Sequence, residues 1–175
     1  MLKGKKIKLR TYKITDVEKL YELFENENIK KTLLTGILFP MSKESEKDFI
    51  EGNLKPKGEL FNFAVERLED GECVGGCGIN SIDRKNSVAV IGLWIGEKYH
   101  GNGYGSDLLR VLCKFIFEEM NIHKIKLECF SFNEKGLNCY RAVGFKEEGR
   151  LRQEIFREGK YYDTIAMGIF KDELK

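Results

Sequence analysis

Residues 87–109 constrain the fold more than any other part of this chain. SVAVIGLWIG at 87–96 is almost wholly apolar. A strand of that kind is covered on both faces, so it belongs in the middle of a sheet. EKYHGNGYGS follows at once, and then an amphipathic helix whose apolar face is Leu108, Leu109, Leu112, Phe115, Ile116 and Met120. Glycines at 101, 103 and 105 therefore lie between a buried strand and a helix N-terminus. The first helical N–H groups lack partners inside the helix and carry the positive end of its dipole. Glycine lets the backbone turn tightly and approach a ligand closely. The product is a cradle for a phosphate or pyrophosphate.

The spacing separates this cradle from better-known ones. G-x-G-x-G is not the dinucleotide fingerprint, and no acidic residue closes a following strand. No GK[ST] follows, so it is not a nucleotide P-loop.

The remaining elements are read from period and punctuation. IKLRTY at 7–12 alternates as a strand. Thr15 and Glu18 have capping-box spacing ahead of Val17, Leu20, Tyr21 and Phe24, which fall at helical intervals. Residues 26–39 read as a short helix and a loop, and Ser42 caps a helix to about Asn53. Strands are expected at 59–68, 73–82 and 87–96, then the long helix, a strand at 125–130 and a helix from Asn133 to Gly144. Two strands at 147–157 and 161–170 are joined by Glu158-Gly159-Lys160. The fold class is α/β (α+β): a mixed, mostly antiparallel seven-stranded sheet flanked by four helices. At 175 residues, one domain spanning 1–175 is expected.

Composition excludes several classes. Net charge is +2 with both signs interspersed, so no basic stripe marks a nucleic-acid binder. KGKK near the start reads as a solvated approach to the first strand. No apolar run reaches the roughly 20 residues that span a bilayer, and no signal peptide precedes the first strand, so neither membrane nor export is expected and the location is cytoplasmic. Five cysteines, at 73, 77, 113, 129 and 139, show no zinc-ligand spacing with histidines, so no metal is expected. Cys73 and Cys77, four apart in a strand, should share a face.

Three blocks carry a resemblance. YHGNGYGSDLL at 99–109 resembles the acetyl-CoA-binding signature of the GNAT superfamily of N-acetyltransferases, with His100 in the place of an Arg or Gln and Gly103 and Gly105 as the two small positions. NEKGLNCYRAVGF at 133–145 resembles the second CoA-side motif through Asn133, Tyr140, Gly144 and Phe145, with Gly136 where a Ser is common. EEGRLRQEIFREGKYYDTIAMGIF at 147–170, with IKLRTYKITDVEKL at the start, resembles the RimL-like branch of ribosomal-protein N-terminal acetyltransferases; similar hairpins occur in polyamine acetyltransferases.

The resemblance implies direct attack of a primary amine on the thioester of acetyl-CoA, without a metal. It implies that His100, Gly101, Asn102, Gly103, Tyr104, Gly105 and Ser106 form the pyrophosphate loop. Leu93, Trp94 and Ile95 would present a strand edge to the pantetheine, which requires the sheet to splay between the strands at 87–96 and 125–130. The Ile95 N–H would stabilise the oxyanion. Tyr140 would protonate the leaving thiolate, and Asn133 would hold the pantetheine or order the strand end. Lys135 and Arg141 are candidates for the ribose 3′-phosphate, against plain surface charge. For the base, Glu66, Glu128, Tyr12 and a water chain stay open. Trp94 is expected to pack in the core rather than read the acceptor. The acceptor is open among a protein N-terminus, a polyamine, an amino sugar and an antibiotic. Two β-rich ends make a homodimer an expectation. A non-catalytic acyl-CoA sensor and a small nucleotide-binding regulator are the competing readings.

Overall fold

A computed structural model describes residues 2–54 and 58–175. The elements run in chain order as β1 (Ile7–Arg10), α1 (Val17–Phe24), α2 (Glu27–Leu33), α3 (Lys43–Gly52), β2 (Asn62–Arg67), β3 (Cys73–Asp83), β4 (Val88–Ile95), α4 (Tyr104–Glu119), β5 (Lys124–Phe130), α5 (Glu134–Val143), β6 (Lys146–Arg157) and β7 (Lys160–Phe170). The strands make one sheet in the order β1-β2-β3-β4-β5-β7-β6. Only β4 and β5 pair in parallel. The apolar strand at 88–95 is thus the central one, as its composition requires.

The larger core lies under α4. Leu108, Leu109, Leu112 and Ile116 are fully buried there, against Val65, Val74, Ile91, Ile125 and Leu127. Burial of each such side chain contributes about 1.5–3 kcal/mol. A smaller cluster, Tyr12, Val17, Leu20, Ile50, Ala64 and Cys73, sits beneath α1 and α3. Along β2, Phe63 and Val65 belong to the first cluster and Ala64 to the second, so the clusters occupy the two faces of the sheet.

Several expectations need correction. The fold has five α-helices among the described residues, not four. The fifth is α2, the short helix expected within 26–39 and left out of the count of four; the Asn26 side chain caps it on the N–H groups of Asn28 and Ile29. Thr15 does not cap α1: residues 14–16 form a 3-10 turn and Asp16 takes the cap position. The buried face of α1 is Val17, Leu20 and Leu23, with Tyr21 and Phe24 half-buried. The strand expected at 59–68 starts only at Asn62, and that expected at 7–12 stops at Arg10. Cys73 and Cys77 do not share a face. The β2–β3 register shifts between Val65 and Glu66, which inverts the alternation, so Cys73 enters the smaller cluster and Cys77 the larger. Among the described residues no helix is long and apolar enough to cross a membrane.

Candidate functional site

The sheet opens at its centre. β4 and β5 pair only at Val88↔Lys124, Ala89↔Ile125 and Val90↔Lys126. Beyond that point β4 continues to Ile95 bonded only to β3, while β5 continues to Phe130 bonded only to β7. Leu93, Trp94 and Ile95 therefore present a free backbone edge on one wall of a V-shaped cleft. An extended chain of amide groups can add to such an edge as an extra strand. The splay inferred from the sequence is present, at the expected residues.

The glycine loop closes the mouth of the V. Gly101 and Gly103 have φ of +80° and +79°, a conformation that side chains disfavour. Gly103 is the N-cap of α4, and the first bond of the helix runs from the Asp107 N–H to the Gly103 oxygen at 3.1 Å. The N–H groups of Gly103, Tyr104, Gly105 and Ser106 are thus first-turn donors without partners in the helix. Asn102 holds the turn through its side-chain amide to the carbonyls of Tyr99 (3.1 Å) and His100 (3.3 Å). His100 Nε2 meets the Ile95 oxygen at 2.7 Å, tying the loop back to the end of β4. Tyr104 is buried and anchors the helix start in the core.

The N-terminal segment buttresses this loop. Asp107, buried in the first turn of α4, accepts the N–H groups of Lys5 (3.1 Å), Lys6 (2.7 Å) and Ile7 (3.1 Å). Lys6 Nζ then donates to the Asn102 oxygen at 2.7 Å. Lys5, Lys6 and Arg67 line a cleft of about 780 Å³ beside Gly101, Asn102 and Tyr104. The KGKK run is therefore structural support for the loop, which its sequence context did not reveal.

β5 is the other wall, and α5 packs on α4 beside the glycine turn. Asn133 is the N-cap of α5, accepting the Gly136 N–H at 3.1 Å. Ser106 Oγ lies 3.3 Å from Cys139 Sγ, which joins the start of α4 to α5. Tyr140, one residue on, is 9% exposed and packs edge-on to Phe145 at 6.1 Å. Burial, followed by the neighbouring Cys129 and Cys139, pushes its phenol well above the usual tyrosine range. Its hydroxyl has no hydrogen-bond partner among the described residues. It is thus a protonated phenol without an internal partner.

Lys135 and Arg141 differ in setting. Lys135 is exposed on the first turn of α5. On the loop side, Glu97 accepts the side-chain amides of Asn26 (2.6 Å) and Asn28 (2.8 Å), which hold its carboxyl below the ordinary range. Arg141 pairs instead with Glu147 at 3.8 Å and with Asn138 at 3.4 Å, turned toward β6.

Among the acid–base candidates, Glu66 is buried with each oxygen held by a cation, Oε1 by Lys8 (2.6 Å) and Oε2 by Arg10. Glu128 is exposed on β5. Tyr12 is buried beneath Phe49, and burial raises its phenol far above the usual range. Trp94 is half-buried against both cores and edge-on to Phe24 at 5.7 Å. Its indole nitrogen and the Tyr12 hydroxyl converge over Gly76, where a Cβ would collide with them. One residue escaped the sequence reading. Glu46 is a buried carboxylate on α3 that carries no motif and stands out only once its surroundings are known.

Comparison with known proteins adds the following. A family model described as an acetyltransferase (GNAT) domain matches residues 6–146. The SPbeta prophage-derived uncharacterized N-acetyltransferase YokL of Bacillus subtilis is 28% identical over 172 residues, covering 98% of this chain and 94% of that protein. Spermidine N(1)-acetyltransferase of Escherichia coli is 26% identical over 167 residues, covering 95% and 87%. Among solved structures, a GNAT-family acetyltransferase from Bacillus anthracis superposes with a TM-score of 0.85 at 22% identity, covering 98% of this chain and 99% of that one. RimL, a ribosomal L7/L12 alpha-N-protein acetyltransferase in complex with coenzyme A, superposes with a TM-score of 0.83 at 23% identity and 97% coverage of both chains.

Proposed function

The chain belongs to the GNAT acetyltransferase family, an N-acetyltransferase by its fold and relatives, and from that premise we propose that it transfers the acetyl group of acetyl-CoA to a primary amine by direct attack on the thioester. The observation that carries this reading is the break in the β4–β5 ladder after Val90 and Lys126, beside a glycine turn that opens onto α4. A free strand edge, an anion cradle and a buried phenol are the three parts the reaction needs.

In this reading the free donors at 103–106 hold the pyrophosphate, helped by the positive end of the α4 dipole. His100 and Asn102 keep the turn in shape rather than contact the anion with a guanidinium. Leu93, Trp94 and Ile95 align the pantetheine by backbone bonds. The Ile95 N–H donates to the oxyanion, a contribution of about 2.7–4 kcal/mol for one such donor. Tyr140 donates its proton to the leaving thiolate. A phenol near pKa about 10, raised further by burial, stays protonated for that task, while the conjugate thiol lies near about 8.5. Asn133 fixes the start of α5 and thereby Tyr140. Lys135, an exposed cation on the first turn of α5, is the candidate for an outer phosphate, ahead of Arg141, which is engaged with Glu147. The chain acts as one domain over 1–175, in the cytoplasm.

The relatives divide between a protein N-terminus and spermidine as acceptor. The RimL-like hairpin keeps the ribosomal-protein branch open beside polyamines, and a homodimer is part of the proposal. The test is transfer of labelled acetyl from acetyl-CoA to a panel of aliphatic amines and peptide N-termini. Label in at least one amine, at a rate first order in enzyme, supports the reading. Binding of acetyl-CoA with no transfer over the whole panel would favour a sensor built on the same fold.

A further inference from the structure

Among the described residues, the buried carboxylates are provided for, with one exception. Asp16 accepts both terminal nitrogens of Arg10 (2.7 and 2.8 Å) and the Lys13 N–H. Glu66 is held by Lys8 and Arg10. Asp107 takes three backbone N–H groups. Glu46 is 7% exposed, yet among the described residues neither N–H, hydroxyl nor cation donates to it. Its oxygens are not sealed in either, since they are absent from the fully enclosed, unpartnered polar atoms Tyr99 Oη, Arg157 Nε and Thr164 Oγ1. The carboxylate therefore keeps a small solvent-facing surface.

Among the described residues, the cations of helices α1 and α3 are committed elsewhere. α3 packs on α1 and on the turn at 14–16. Lys19 of α1 pairs with Glu72 at 2.5 Å, Lys43 of α3 with Glu18, and Lys47 with Glu51 at 3.6 Å. Arg10 is shared by Asp16 and Glu66. A buried carboxyl with no counter-charge is costly to ionise, so burial raises the Glu46 carboxyl above its ordinary range, and a bound cation would favour its charged form.

The position of Glu46 links it to the cleft. Ile50, one helical turn on, packs with Tyr12 in the smaller core, and Phe49 stands edge-on to Tyr12 at 5.9 Å. The charge of Glu46 is felt at the Tyr12 phenol. From Tyr12 the path runs over Gly76 to Trp94, on the free edge of β4. A carboxylate beside Tyr12 and Phe49, with Trp94 beyond Tyr12, is a setting for an alkyl ammonium, which gains from both the charge and the ring faces.

We propose that Glu46 holds a second ammonium of the acceptor, so that the amine acetylated at the β4 edge is one end of an aliphatic diamine or polyamine. The location rests on the acetyl-transfer reading; the binding test below does not. Glu46 is then a specificity residue, and a peptide N-terminus lacking a second cation leaves it uncompensated.

The experiment is calorimetric titration of the full chain, with CoA present, by putrescine, spermidine and n-butylamine. Wild type is expected to bind the two multivalent amines about tenfold or more tightly than butylamine, the scale of one charge-assisted hydrogen bond. Glu46→Gln should erase that difference, and Glu46→Asp should restore part of it. Because the carboxylate lacks an internal partner, Glu46→Gln should melt at or above the wild-type temperature. Equal affinities in wild type, a preference that survives Glu46→Gln, or a short neutral peptide N-terminus binding as tightly as putrescine would each overturn the proposal. Glu46-dependent diamine binding without acetyl transfer sinks the transfer reading alone; transfer to monoamines and diamines with equal efficiency sinks the Glu46 role alone.

Discussion

His100 Nε2 and the main-chain oxygen of Ile95 are 2.7 Å apart, so the imidazole bridges the end of the splayed strand to the turn that would receive the pyrophosphate. The same residue that replaces a family Arg or Gln thus positions two halves of the site at once. His100→Ala should raise the KM for acetyl-CoA by about 2- to 10-fold, the worth of one hydrogen bond, with little change in kcat. Steady-state kinetics with acetyl-CoA varied will show it. An unchanged KM would mean that the loop holds its shape without the bridge.

Gly103 carries a φ of +79° at the cap of α4. A Cβ there meets only Lys6 Nζ at 3.5 Å, so space is not the obstacle. The left-handed backbone is, at about 1–2 kcal/mol for an ordinary L-residue. Gly103→Ala should lower the melting temperature and weaken acetyl-CoA binding together. Gly36, with open space and no positive φ, is the control that should do neither when changed to Ala.

Arg10 lies between two buried carboxylates. Burial alone would raise the Asp16 carboxyl, but Arg10 and the Lys13 N–H hold it below its ordinary range. A folded value below the unfolded one means that this stability is complete above the unfolded carboxylate range, near about pH 3.9. It is lost as pH falls through the folded value. Arg10→Met should therefore cost about 3–5 kcal/mol at neutral pH, and the gap from wild type should close in acid. Urea unfolding at several pH values measures both.

Tyr140 is kept protonated by burial. Deprotonation of this residue should not limit the rate at any pH in the ordinary tyrosine range, about 10. Activity should instead rise with pH as the acceptor ammonium loses its proton, and hold on the alkaline side. A kcat profile that turns down near pH 8 in wild type but not in Tyr140→Phe would contradict this.

Much of the fold was legible because its signals are local. The strand at 88–95, the glycine turn and α4 follow from composition and period alone, and the splay from the family resemblance that the motifs carry. What escaped depends on tertiary placement. The bulge that separates Cys73 from Cys77 leaves no mark in the alternation of β3. Glu66 looks like a free carboxylate until β1 brings Lys8 and Arg10 beside it. The role of KGKK appears only when Asp107, about a hundred residues away, gathers its N–H groups. Glu46 is one acidic residue in a helix rich in them; its isolation is a property of the packed structure.

The central claim is tested most directly by one comparison, that of wild type with Tyr140→Phe. Each is assayed for acetyl-CoA binding by thermal shift and for amine-dependent release of CoA. A ligand that binds only the native state raises its melting temperature. Both proteins should be stabilised by acetyl-CoA to the same extent. Wild type should release CoA only when an acceptor amine is present, and Tyr140→Phe should do so about 10²–10⁴-fold more slowly. Equal release by the two would remove Tyr140 from the chemistry. Failure of saturating acetyl-CoA to stabilise either protein would contradict the assignment of the splayed edge and glycine turn as its site.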